Sequence, residues 1–358
     1  MMSASFATMK RTKRRNMALD PHTEDFQRLG LRFAASLDDR DPFSAARAVA
    51  DFGRRYRQQR DSLPQTDADR AFGLVTRATD LIDYQLPFSA DEGANSIIAE
   101  ARKLLLEAVD VDRSCPDALR MLAAADSASP NAYQHYLAKG ADGVRKACER
   151  ARDAVDLPGE AAEVAGTLAM RPYVRWLAAE AACALVCGRY RLCVRLAHEL
   201  LEVDPTDAAD ARLTLALAYA KLEDDTALDT LSRHAGTTFG LAWYALARMA
   251  TAFKRGDRAA AEREVSLLLK AYPYAGTTLS RQDDLPDGVY ARIVVAPMGE
   301  DELILATSEA TVLLQEGCDA CERGTLGSWL AGLDAVAEAQ ETDGPVEAGS
   351  PSTGEARS

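Results

Sequence analysis

The residues of this chain best suited to chemistry are its cysteines. Cys318-Asp319-Ala320-Cys321 is a CxxC, the spacing of half a zinc site or of a redox pair. A structural zinc needs four ligands, and no Cys or His follows Cys321 to complete one. Cys183 and Cys187 stand four residues apart, on one face of any helix that holds them, with Cys193 and His198 close behind. Free cysteines are among the most buried residue types. The plainer account, small core side chains, is therefore preferred for both groups, and neither a metal nor another cofactor is expected. None of His22, His135, His198 and His234 sits beside a Ser, Cys or acid in a nucleophile arrangement. The sequence has no GxGxxG, GxxxxGK[ST] or HExxH. Asp224-Asp225 and Asp283-Asp284 read as solvated turns rather than acid–base pairs. The chain is accordingly expected not to be an enzyme.

The elements that carry these residues follow from composition. Hydrophobic residues make up 47% of the 358, too many for a disordered chain, whereas aromatics are only 6%. Ala and Leu dominate, which favours closely packed helices over a β-sandwich rich in aromatic and β-branched residues. The formal charge of −13 conceals an uneven distribution. Residues 1–17 carry Lys10, Arg11, Lys13, Arg14 and Arg15 and no acid; 42 less these five leaves 37 basic against 55 acidic residues, −18 for the remainder. A body of that charge repels phosphate backbones and anionic membranes. The basic run Lys10-Arg11-Thr12-Lys13-Arg14-Arg15 has no aromatic residue to stack on bases, so nucleic acid is not an expected partner. No run approaches the roughly 20 apolar residues that cross a bilayer. The polar turn at Ala18-Leu19-Asp20-Pro21 argues against a secretory leader. Seven cysteines, an odd number, do not suggest a disulfide framework. A cytoplasmic location is expected, with no membrane contact.

Prolines punctuate the chain. Asp41-Pro42, Leu63-Pro64, Leu86-Pro87, Cys115-Pro116, Ser129-Pro130 and Leu157-Pro158 separate Ala/Leu-rich segments, and Pro fits the first turn of a helix but breaks its interior. The expected organisation is a basic disordered arm at 1–17, an N-terminal helical region at 18–95 that caps or extends the repeats, a helical solenoid at 96–338, and a disordered acidic tail at 339–358. An irregular segment is expected at 274–298, followed by helices at about 299–316 and 320–338.

An internal period organises the middle of the chain. Gly188 and Gly256 are 68 residues apart, as are Pro205 and Pro273, and half of 68 is 34. Three copies can be framed, 174–207, 208–241 and 242–275. Five residues past each break comes a small residue: Cys193, Ala227 and Ala261. The middle copy has Leu222 and Phe239 in place of Gly and Pro. One helix pair cannot bury its own apolar face, so copies must stack.

These 34-residue copies resemble the tetratricopeptide (TPR) repeat, which implies an all-α fold, an α-α superhelix. Over roughly 96–335 the chain is also similar to bacterial repeat proteins related to the suppressor of tumorigenicity seven family. That likeness is carried by Arg171-Pro172-Tyr173-Val174-Arg175, by Glu199-Leu200-Leu201-Glu202-Val203-Asp204-Pro205-Thr206-Asp207 and by Ser328-Trp329-Leu330. It implies a helical repeat and no established catalytic activity, with the Arg-Pro-Tyr segment opening a helix.

In such a frame the first helix of each pair lines a concave groove, which places Arg175, Arg212, Tyr219, Trp243, Leu246 and Phe253 there. Trp, Tyr and Arg often anchor interfaces, although Trp243, Leu246 and Phe253 suit a core equally well. The Asn residues of a chaperone-type carboxylate clamp are replaced by Ala182, Ala216 and Ala250. The expected function is a protein–protein interaction module that holds an unidentified protein or peptide segment in its groove. The chain's own tail, with Glu341, Asp343 and Glu347, is a second candidate occupant. The alternative is a metal- or redox-responsive helical protein using Cys318 and Cys321.

Overall fold

A computed structural model of the chain describes residues 19–37, 42–89, 91–233, 239–282, 295–318 and 323–343. The basic arm, His234, Cys321, Asp283-Asp284 and the tail beyond Asp343 lie outside the described residues. Among those described, every regular element is helical and there is no strand. The helices fall into two compact units, Met1–Ala211 and Arg212–Ser358.

The first unit holds α1 (Pro21–Ala35), α2 (Pro42–Gln59), α3 (Asp67–Thr79), α4 (Asp91–Val111), α5 (Pro116–Asp126), α6 (Pro130–Asp153), α7 (Gly159–Val186) and α8 (Tyr190–Val203). Prolines start α1, α2, α5 and α6, and Pro158 is the N-cap of α7. At these positions the missing N–H is one the helix leaves unbonded anyway. Ser129 completes the start of α6 by accepting from the Ala132 N–H at 3.2 Å. Three apolar clusters hold the unit. Leu29, Phe33 and Phe52 join α1 to α2. Val75, Leu104, Leu105 and Ala118 join α3, α4 and α5. Leu137 and Trp176 join α6 to α7, and the Trp176 indole N–H donates to the Leu137 carbonyl at 2.9 Å.

The second unit takes up α9 (Ala211–Leu222) from its second residue and continues with α10 (Asp225–Arg233), α11 (Leu241–Lys254), α12 (Arg258–Ala271), α13 (Ala275–Arg281), α14 (Glu300–Glu309), α15 (Thr311–Leu314), α16 (Thr325–Ala331) and α17 (Asp334–Asp343). Helix α11 packs on α12 and α14 and supplies the fully buried Trp243, Leu246 and Met249. The carboxylate of Glu302, itself fully buried, accepts from Gly240 N–H at 2.9 Å, Met298 N–H at 2.7 Å and the Tyr272 hydroxyl at 2.8 Å. Burial and this carboxylate push the Tyr272 phenol well above its ordinary value.

The 34-residue period has a local backbone counterpart. Gly188 and Gly256 are left-handed, with φ of +73° and +79°. The next N–H bonds back over a full turn, Arg189 to the Ala184 carbonyl at 2.8 Å and Asp257 to the Ala252 carbonyl at 2.9 Å. This is a Schellman C-cap. The middle copy makes the same cap one residue late, on Glu223 (φ +56°), with Asp224 N–H reaching the Tyr219 carbonyl at 3.0 Å. The first-helix positions keep the 34-residue spacing, and Ala181, Leu215, Met249, Ala184, Ala218 and Ala252 are all buried. Only the second helix of the middle copy is shifted. Leu228, not Ala227, is therefore the counterpart of the buried Cys193 and Ala261. Asp224 caps α10 through Ala227 N–H at 3.0 Å, as Asp257 caps α12 through Ala260 N–H at 2.9 Å.

Four boundaries differ from expectation. Arg171-Pro172-Tyr173 does not open a helix but lies deep inside α7. Residues 275–281 form α13 rather than irregular chain. The closing helix expected at 320–338 is two, α16 and α17, parted at Gly332. Helix α17 runs on to Asp343, so the tail begins later than 339. Helix α13 and the end of α17 are joined by one contact: the Asp343 carboxylate accepts from Thr277 N–H at 2.8 Å and its hydroxyl at 3.1 Å, satisfying the start of α13 from the end of α17.

Candidate functional site

Of the six residues expected in a groove, Arg175 lies in the first unit and the other five in the second. Arg175 faces the interior. Its guanidinium donates through Nη1 to Glu24 at 2.6 Å, and through Nε and Nη2 to both oxygens of Asp117 at 2.7 and 2.5 Å. The groove assignment of Arg175 is thus replaced by a buried ionic cluster, in which one guanidinium bridges the buried carboxylates of Glu24 and Asp117.

Helices α1, α5 and α7 each contribute to that cluster. Glu24, on the first turn of α1, is fully buried and also receives Arg28 through Nε at 2.9 Å and Nη2 at 2.7 Å. Arg171 approaches the same carboxylate only to 3.5 Å, and its Nη1 has no hydrogen-bond partner. Burial alone would raise the Glu24 pKa; Arg175, Arg28 and Arg171 outweigh it and hold the carboxyl at about 2. For Arg171 the balance is reversed: burial lowers its pKa further than Glu24 raises it. The face of Phe72 on α3 covers the group, with the Arg28 and Arg175 guanidinium carbons 4.6 and 5.4 Å from its centroid. A second buried carboxylate of α1, Asp25, accepts from Arg60 Nε and Nη2 at 2.7 and 2.6 Å and from the Tyr56 hydroxyl at 2.8 Å.

Pro172 explains why α7 tolerates this arrangement. A proline in a helix interior removes the N–H that would reach the carbonyl four residues earlier, here that of Leu168. Arg28 Nη2 donates to the Leu168 carbonyl at 3.3 Å. The same guanidinium therefore serves Glu24 on its own helix and the carbonyl that Pro172 frees on α7.

In the second unit Trp243 and Leu246 have no exposed surface, and Tyr219 is buried. The Trp243 indole N–H donates to Glu309 at 2.8 Å. Trp243 and Leu246 are core because α11 packs on both α12 and α14, and Tyr219 of α9 is buried as well. Arg212 and Phe253 remain partly exposed. Phe253 pairs with Trp329 of α16 at 5.0 Å between centroids, and the exposed Arg258 lies with its guanidinium carbon 3.5 Å from the Phe253 centroid and 5.4 Å from that of Trp329. Trp329 and Arg258 were not among the expected anchors; the single Trp in a Ser-Trp-Leu segment was their only trace in the sequence.

Cys318 is exposed. Among the described residues no group of three or more His, Cys, Asp or Glu side chains is arranged to hold a metal, and no helix is long and apolar enough to cross a membrane. Compared with models of known families, with curated proteins and with solved structures, the chain finds no match.

Proposed function

We propose that the chain is a non-enzymatic protein-interaction module, a TPR-like solenoid akin to the bacterial relatives of the suppressor of tumorigenicity seven family and working in the cytoplasm. The thrice-used left-handed C-cap at Gly188, Glu223 and Gly256 supports the repeat. The observation that carries the binding role is the partly exposed Phe253–Trp329 pair with Arg258 across it. An aromatic surface flanked by a guanidinium is the composition of an interface anchor. The anchor of the groove then moves from Trp243 and Leu246, which are core, to Phe253, Trp329 and Arg258, with the partly exposed Arg212 kept from the expected set.

The test places a photo-crosslinking residue at position 258 and, as a control, at the exposed Arg150 of the first unit, followed by mass spectrometry of adducts. A protein cross-linked from 258 and not from 150, whose capture falls about tenfold with Arg258→Glu, supports the reading. A partner captured equally by wild type and Arg258→Glu overturns this site.

A further inference from the structure

Cys183 lies in the last turn of α7 and Cys187 is its C-cap. The Cys187 N–H bonds to the Cys183 carbonyl at 2.9 Å, so both side chains leave the helix on one face. Both side chains pack into the same apolar cluster of α6 and α7, and neither is in a disulfide. Helical side chains four residues apart have Cβ atoms about 5–6 Å from each other, whereas a disulfide needs about 3.5–4.5 Å. Direct oxidation would therefore unwind the turn, but an atom set between the sulfurs bridges them without doing so. With metal–sulfur bonds of about 2.3 Å, a linear S–metal–S unit spans about twice that length.

The surroundings select the kind of atom. Cys183 is buried and donates to the Pro130 carbonyl of α6 at 3.1 Å, while Cys187 is half-buried and gives access from solvent. Two residues on, Arg189 is fixed by the C-cap and by hydrogen bonds to Gln134 and to Asn131 (3.3 Å) on the turn of α6 that carries Pro130. A thiol must lose its proton to bind a metal, so the ion that fits this pair is one with high affinity for sulfur.

We propose that Cys183 and Cys187 form a two-coordinate site for a soft monovalent cation, cuprous copper being the biological case, with Arg189 offsetting the charge of the complex. Two thiol protons pass to solvent, two copper–sulfur bonds form, and the resulting bis-thiolate carries one negative charge. No electron is transferred. Thiolates select Cu(I) among the first-row ions, whereas zinc asks for four ligands, and among the described residues no third His, Cys, Asp or Glu joins the pair.

The test uses the reduced, full-length chain under anaerobic conditions, titrated with Cu(I) held by a chromophoric chelator. One Cu(I) per chain is expected to leave the chelator. Cys187→Ser and Cys183→Ala should each weaken that binding by about 100-fold, and Cys318→Ser/Cys321→Ser should leave it unchanged. A second readout needs no variant: Cu(I) at one equivalent should protect Cys187 of the wild-type chain from alkylation while Cys318 still reacts. Unprotected Cys187, or tight copper lost with Cys318→Ser/Cys321→Ser instead, overturns the proposal.

Discussion

Glu24→Gln removes one negative charge from the centre of the first unit while keeping the shape of the side chain. Two independent routes give the size of the effect. A carboxyl held at about 2 rather than 4.5 contributes about 3 kcal/mol at neutral pH. Breaking a buried ion pair from one side costs about 3–5 kcal/mol, because the partner is left uncompensated. Here the partners are three arginines, two of them within 2.9 Å of the carboxylate. Domain stability is about 5–15 kcal/mol, so the loss should be plain. The sign with pH is equally defined. The folded pKa lies below the unfolded one, so this stability is complete above pH 4.5 and disappears as pH falls towards about 2. Urea unfolding followed by amide exchange in peptides from α1 and α7 measures it, at pH 7 and again near pH 3. Wild type should lose most of its advantage over Glu24→Gln at the lower pH. A loss under about 1 kcal/mol at pH 7, the scale of an exposed pair, or a difference that does not narrow on acidification, would refute the reasoning.

Three further outcomes are expected. Arg171→Met should leave urea stability unchanged or raise it, since Arg171 is buried with a guanidinium nitrogen that has no hydrogen-bond partner and apolar replacement of poorly paired buried charge is often neutral or stabilising. Glu223→Gly should stabilise the second unit by about 0.5–1 kcal/mol, read as a shift in urea midpoint, because glycine occupies the left-handed conformation without a Cβ penalty. Gly276→Ala should destabilise the same unit by about 1–3 kcal/mol and expose α13 and α17 to exchange, since a Cβ there would lie 2.3 Å from the Gln340 nitrogen and 2.5 Å from the Ala339 carbonyl carbon.

The parts legible in the sequence are those governed by neighbours along the chain. Proline acts on its own helix, so Pro42, Pro116 and Pro130 marked helix starts before any contact was known. Gly188 and Gly256 likewise marked their caps. The middle copy escaped because its cap rests on Glu223, a residue with no intrinsic preference for positive φ, and because one extra residue in α9 breaks the spacing while preserving the motif. Five residues past position 222 lies Ala227, but the cap sits at Glu223, so Leu228 takes the buried position.

What pairs across the chain was not legible. Arg171 and Arg175 bracket a proline and sit one turn apart, a pattern that reads as the polar edge of a helix start. Its meaning depends on Glu24 and Asp117, which are 151 and 58 residues from Arg175. The carbonyl freed by Pro172 is met by Arg28, 140 residues from Leu168. Once those partners are known the segment has a single consistent account. A proline is tolerable inside α7 because a guanidinium replaces its missing N–H. That guanidinium is tolerable in the interior because Glu24 balances it, and Glu24 stays ionised because several arginines converge on it. Each group is costly alone, and each is the reason the next can be buried. The arginines around Pro172 are therefore better understood as the joint between α1 and α7 than as a surface waiting for a partner.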